Sequence, residues 1–97
     1  MKNVNESPIG TSYFFNDIRT TVKRLKEVLG QPRIEENNGQ DKMNFQWTAR
    51  TSSGHLVTIY DYKEYKPLDE NEKINFHIGG FGSIPTREAQ KELEELI

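Results

Sequence analysis

His77 closes an alternating run, Ile74-Asn75-Phe76-His77-Ile78, that gives way to Gly79-Gly80-Phe81-Gly82-Ser83. An imidazole titrates near neutral pH, so it can donate to a phosphate or exchange a proton. A glycine-rich turn ahead of a helix can aim several backbone N–H groups at one anion, with the helix N-terminus adding partial positive charge. Gly79, Gly80 and Ser83 are therefore predicted to cradle an anion beside His77. The same glycines also serve a purely structural end, positive φ or room for close packing, and that is the better prior for such a loop. The loop lacks the Gly-Lys-Ser/Thr ending of a nucleotide-phosphate loop and sits in no βαβ unit.

A second group of interest is Tyr60-Asp61-Tyr62-Lys63-Glu64-Tyr65-Lys66. Tyr60 and Tyr62 offer stacking area for a flat ring, and Lys63 offers charge for a phosphate. The structural alternative is an edge strand leaving the sheet, with Lys63 and Lys66 blunting edge pairing. Arg50 supplies further charge, while Thr11 and Ser12 supply hydroxyl donors. Asp61 and Glu64 are two carboxylates near a strand end, a hydrated pair more readily than a cation site. Two histidines without cysteine and without metal-ligand spacing give no zinc site, and no serine stands in a nucleophile elbow. The expectation is a binding protein with no catalytic residue, no metal and no cofactor.

These side chains need elements to hold them. Residues 1–16 carry no clear period, although Tyr13-Phe14-Phe15 must dock on a core or a partner. Residues 17–29 read as a helix, with Ile18, Val22, Leu25 and Leu29 on one stripe and Gly30 and Pro32 ending it. Its opposite face carries Arg19, Lys23, Arg24 and Lys26, a solvated face first and an anion-attracting one second. Residues 42–78 read as an antiparallel sheet, with the hairpin turn at Ser52-Ser53-Gly54. Met43, Phe45, Trp47, Ala49, Val57, Ile59, Ile74, Phe76 and Ile78 face the core. Residues 85–97 read as a second helix, with Thr86 as its N-cap, Ala89, Leu93 and Leu96 or Ile97 on its apolar stripe, and Glu88, Glu92, Glu94 and Glu95 mainly solvated.

The expected fold is α+β in one domain, 1–97: a small antiparallel sheet of three or four strands with both helices on one face. Its other face would show Gln46, Thr48, Arg50, Thr58, Tyr60, Tyr62, Asn75 and His77, open either to a flat polar ligand or to a second copy of the chain. With 97 residues and 33% hydrophobic content the core is modest, so a homo-oligomer, a dimer or larger, is expected. A net charge of −2 argues against general nucleic-acid binding. The absence of cysteine, of a signal-peptide core and of a membrane-spanning run points to a cytoplasmic protein without a membrane partner.

Taken in order, Ile9-Gly10-Thr11-Ser12, Leu29-Gly30-Gln31-Pro32, Asp41-Lys42 before Phe45-Gln46-Trp47, Thr58-Ile59-Tyr60-Asp61-Tyr62-Lys63 and Phe76-His77-Ile78-Gly79-Gly80 resemble a family of small phage and prophage proteins. That family is expected to show Gly-Thr-Ser near its start, a Phe-Gly-x-Pro helix end, a Glu-Trp strand, a Thr-Ile-Tyr-Asn-Trp-Lys strand and a Trp-His-Ile-Gly-Gly ending. This chain has Leu29, Gln46, Asp61 and Tyr62 in place of Phe, Glu, Asn and Trp. The resemblance implies a viral setting, where a small noncatalytic protein antagonises host defence. The expected ligand is a small anionic nucleotide, an immune second messenger sequestered by Thr11, Ser12, Arg50, Tyr60, Tyr62, Lys63, His77, Gly79, Gly80 and Ser83. The alternative is an inhibitor that covers a host defence enzyme through Tyr13-Phe14-Phe15 or the acidic last helix.

Overall fold

The computed structural model describes residues 1–40 and 42–97, and its elements run β1 (Lys2–Asn3), β2 (Ser12–Thr20), α1 (Val22–Leu29), β3 (Ile34–Glu35), β4 (Phe45–Arg50), β5 (Leu56–Tyr60), β6 (Ile74–Gly80) and α2 (Ser83–Leu96). The α+β class and the two helices agree with the sequence pattern. The sheet is larger than expected: six strands, all antiparallel where paired, in the order β1-β4-β5-β6-β2, with β3 also beside β4.

The added strands come from segments without a visible period. Residues 12–20, read as irregular chain and helix start, form one long strand against β6, with Ile18 opposite Phe76 and Thr20 opposite Ile74. Ile18 and Val22 are four apart, a spacing that fits one helix stripe. Here it arises because a strand residue and the first helical residue meet the same core. The helix starts only after Thr21, whose hydroxyl oxygen accepts from the Arg24 N–H at 3.0 Å. Gly30 ends it with φ of +83°, a conformation that costs glycine little.

One face of the sheet carries the core as predicted. Phe45, Trp47, Ala49, Val57, Ile59, Ile74, Phe76 and Ile78 are buried with Val22, Leu25 and Leu29 of α1 and Ala89 and Leu93 of α2. Each large side chain fully withdrawn from water contributes about 1.5 to 3 kcal/mol before the ordering cost is subtracted. The Trp47 indole donates to the Gly30 carbonyl at 2.9 Å, which fixes the end of α1 over β4. Met43 departs from this set: it precedes β4, is half-buried and lies outside the core cluster.

The second helix begins two residues earlier than expected. Gly82, not Thr86, is its N-cap, without a side-chain hydrogen bond. Thr86 is fully buried, and its hydroxyl donates to Asn16 Oδ1 at 2.7 Å. Glu88 and Glu92, expected to be solvated, instead hold the β4–β5 turn. Glu92 accepts from the Ser52 N–H and hydroxyl, and Glu88 accepts from the Ser53 hydroxyl and lies 3.0 Å from His55 Nδ1.

Candidate functional site

The face expected to be open is crossed by the chain itself. β1 lies beside β4 and β2 at the far edge of the sheet, so residues 4–11 must pass over β4, β5 and β6 between them. This strap is tied down along its length. The Val4 N–H donates to the Thr48 carbonyl at 3.0 Å, and the Thr48 hydroxyl returns a bond to the Val4 carbonyl. Arg50 grips Glu6 with two bonds of 2.9 and 2.6 Å. The guanidinium hydrogen bond holds the Glu6 carboxyl below its ordinary range. Thr48, Thr58 and Gln46 are accordingly only 0%, 3% and 8% exposed within one chain, which removes them from any open dimer face.

Between strap and sheet lies a cleft of about 340 Å³, lined by Pro8, Ile9, Gly10, Thr11, Met43, Gln46, Thr58 and Tyr60. The strap turns sharply at its outer wall. The Pro8 carbonyl accepts both the N–H and the hydroxyl of Thr11, at 3.0 and 2.7 Å, and Gly10 adopts φ of +92°. Thr11 thus turns its hydroxyl proton to Pro8 and cannot also give it to a phosphate. Tyr60 forms the inner wall, and its phenol is raised above its ordinary range by burial first, then by Tyr62 and Asp17.

Beyond Tyr60 stands His77, enclosed by aromatic rings. Tyr13 stacks on it at 3.9 Å between centroids, Tyr62 stacks at 5.0 Å, and Tyr60 meets it edge-on at 5.5 Å. The Lys63 ammonium lies 5.2 Å from the Tyr62 ring centroid, a cation on the outer face of this cluster. Tyr13 donates its hydroxyl to Asp17 Oδ1 at 2.7 Å, and the same oxygen is 3.9 Å from His77 Nε2. Loss of water and the Asp17 carboxylate push the Tyr13 phenol up to about 12.

A bulge in β2 makes this arrangement. Tyr13 pairs with Gly79 and Asp17 with His77, so Phe14, Phe15 and Asn16 stand against Ile78 alone. The bulge leaves Phe15 in the left-handed region at φ of +67°, with 85% of its surface exposed. Asn16 anchors it to α2 through Thr86 and Gln90, and Gln90 also donates to the Asp17 carbonyl. Tyr13 and Asp17 were not anticipated as site residues. The only sequence signal was the aromatic run Tyr13-Phe14-Phe15, expected to dock as a whole; Tyr13 docks on His77, while Phe14 and Phe15 stay exposed.

The glycines do different work from that predicted. Gly79 and Gly80 are the last residues of β6, paired with Thr58 and Tyr13 and with Ser12, not a turn aimed at a ligand. Neither has positive φ, nor does Gly82 occupy the left-handed region. Close approach is their reason: a Cβ on Gly79 would sit 2.7 Å from the Thr58 methyl, and one on Gly80 would sit 2.9 Å from the Thr86 methyl. The two therefore open onto opposite faces.

The predicted set divides accordingly. Tyr60, Tyr62, Lys63 and His77 come together, and Thr11 and Gly79 adjoin Tyr60 through the cleft and Thr58. Arg50 is taken by Glu6 and the Gly54 carbonyl. Ser12 is an exposed strand residue opposite Gly80, and Ser83 begins α2. The Tyr60–Lys66 segment is no edge strand: β5 ends at Tyr60 in the middle of the sheet. Asp61 is fully buried and accepts from the N–H groups of Asn44 and Phe45 and from the Asn44 amide, a structural clasp for the strand ends. Lys26 of the basic helix face is paired with Glu35 and Glu70. Among the described residues no group of three or more histidine or acidic side chains is placed to hold a metal ion, and no helix is long and apolar enough to cross a membrane. Comparison with protein-family models, curated proteins and solved structures finds no match for this chain.

Proposed function

We propose that this protein captures a small nucleotide-like anion in the strap cleft and holds it without chemical turnover. One observation carries the proposal: Tyr60 is at once a wall of a ligand-sized cleft and a member of the ring cluster around His77, with Lys63 at its rim. A flat ring placed against Tyr60 gains stacking area at little entropic cost, and the cation outside meets a phosphate. The ligand-binding residues assigned are Thr11, Tyr60, Tyr62, Lys63 and His77, with Gly79 keeping the cleft open. In the viral setting that the sequence resemblance implies, such capture sequesters a nucleotide immune second messenger and antagonises host defence.

Titration calorimetry and thermal shift with nucleoside monophosphates and with cyclic di- and trinucleotides test this. Saturable binding must raise the melting temperature through linkage, and the ligand must be recovered intact after denaturation. A panel without a binder sinks the proposal, and recovery of a cleaved ligand replaces capture with catalysis. Light scattering on the same samples reads the oligomer expected from the modest core.

A protein-contact inhibitor is the second reading, favoured by Phe15, a residue 85% exposed on a left-handed backbone. The acidic helix contributes less to it, since Glu88 and Glu92 are bound to the β4–β5 turn. Recovery of one stoichiometric host protein by the wild type, lost in Phe15→Asn, supports this reading. Equal recovery by both overturns it.

A further inference from the structure

We infer that the capture site continues past Met43 into a second subsite, where Arg33 and Lys42 hold a phosphate group of the bound nucleotide. This subsite rests on the nucleotide-capture reading and extends it to two residues on the far side of the strap cleft.

Strand register lays out the ground. Ile34 stands opposite Gln46, Gln46 opposite Tyr60, Tyr60 opposite His77 and His77 opposite Asp17, so one row of residues crosses five strands. Residues directly opposite one another in a sheet share a face, so the whole row lies on the face that the strap crosses. Gln46 and Tyr60 line the strap cleft. Ile34, at the end of the row, lines a second hollow of about 430 Å³ together with Glu36, Lys42 and Met43. From Tyr60 to Ile34 the row spans two strand spacings, about 10 Å, which is of the order of the reach from a nucleotide's base to its phosphate.

Met43 is the wall common to both spaces. It is half-buried and outside the core cluster, so its unbranched side chain can change rotamer and join the two without disturbing the packing beneath. This accounts for an apolar residue that precedes β4 and yet takes no part in the core.

The second hollow differs from the first in charge. Lys42 is on its wall, and Arg33, the residue before Ile34, reaches the row through the 3.2 Å bond from its Nη1 to Gln46 Oε1. Backbone bonds of 2.7 Å fix the chain under both: the Arg33 N–H donates to the Gln46 carbonyl, and the Lys42 carbonyl accepts from the Lys63 N–H. Neither cation is ion-paired among the described residues, whereas Arg24, Lys26, Arg50 and Lys66 all are. A guanidinium carries five N–H donors in a planar fork, so the bond to Gln46 leaves others free to take two phosphate oxygens at once, with the Lys42 ammonium as a point charge beside them. Glu36 opposes an anion here, but two cations against one carboxylate leave the hollow positive in a chain whose net charge is −2.

Calorimetric titration with nucleoside monophosphates and with cyclic di- and trinucleotides, at two ionic strengths, tests the assignment. Arg33→Gln and Lys42→Gln are each expected to weaken the nucleotides that bind the wild type by about tenfold and to flatten the salt dependence of binding. Both side chains are exposed, so the variants keep the fold. Glu36→Gln removes the opposing charge and is expected to tighten the same nucleotides. Lys91→Gln removes an equal charge from α2, on the other face of the sheet, and is expected to change nothing. Unchanged affinity in either Arg33→Gln or Lys42→Gln, or an equal loss in Lys91→Gln, overturns the second subsite while capture at Tyr60 stands. Failure of every nucleotide to bind the wild type overturns both.

Discussion

The imidazole of His77 lies almost flat against the phenol of Tyr13, their centroids 3.9 Å apart and their planes 9° from parallel. Tyr13 is held there from its other end by the bond from its hydroxyl to Asp17. Replacing Tyr13 by Ala removes the stack and leaves one face of His77 bare. The expected loss is about 1 kcal/mol of folding stability, the usual worth of an aromatic pair, with a further cost from the lost burial. Urea denaturation of Y13A measures it, and Tyr13→Phe separates the ring from the hydroxyl by keeping the first and deleting the second.

Gly79→Ala tests the floor of the cleft. Its new methyl would sit 2.7 Å from the Thr58 methyl, on a β-branched side chain whose hydroxyl is held by the Trp47 carbonyl. Overpacking of this kind costs about 1 to 3 kcal/mol. The same methyl would lie 3.5 Å from Thr11 Oγ1, beside the cleft, so under the capture proposal nucleotide affinity is expected to fall together with the denaturation midpoint. A midpoint unchanged from wild type contradicts the close contact.

Asp61→Asn asks what the buried carboxylate holds. Three N–H donors, two from Asn44 and one from Phe45, converge on its two oxygens. Asparagine turns an amide N–H₂ toward at least one of them and leaves a buried donor unmatched. The expected cost is about 3 kcal/mol, since bonds to a charged acceptor are being lost where water cannot replace them. Denaturant midpoints at neutral pH report it, and added divalent cation is expected to restore nothing.

Acid stability should depend on Glu88. The Ser53 hydroxyl, then Thr51 and His55, hold its carboxyl down to about 2. A carboxyl whose pKa is depressed on folding contributes stability that is complete above the ordinary glutamate pKa of about 4.3 and fades as pH falls toward the folded value. Between pH 5 and about 2 the wild type is therefore expected to lose stability faster than Glu88→Gln. Parallel curves of midpoint against pH for the two proteins would exclude the linkage.

The sheet core and both helices were legible because their residues alternate or recur at helical spacing, and Phe45, Val57, Phe76 and Leu93 fall where those periods place them. β2 was hidden for two physical reasons. Its bulge breaks the alternation at Phe14, Phe15 and Asn16, and the spacing from Ile18 to Val22 imitates one helix stripe across what is really a strand and a cap. The candidate site was legible where it lies on β5, just after it and on β6, in Tyr60, Tyr62, Lys63 and His77. Tyr13 and Asp17 reach His77 only through the bulge. Thr11 and Gln46 meet in one cleft only because residues 4–11 cross the sheet, which no local spacing encodes.

The strap has a temporal consequence. Residues 4–11 are synthesised before the surface they cross, which is assembled from β4, β5 and β6. An early segment with only late partners waits unpaired on the nascent chain, because long-range pairing must follow the closure of the intervening loop. The cleft can therefore close only once β6 has joined the sheet. Its backbone amides should exchange with solvent through local openings that leave Trp47 and Ile59 protected, so occupancy of the cleft can be followed as a slowing of exchange at Val4 and Thr11.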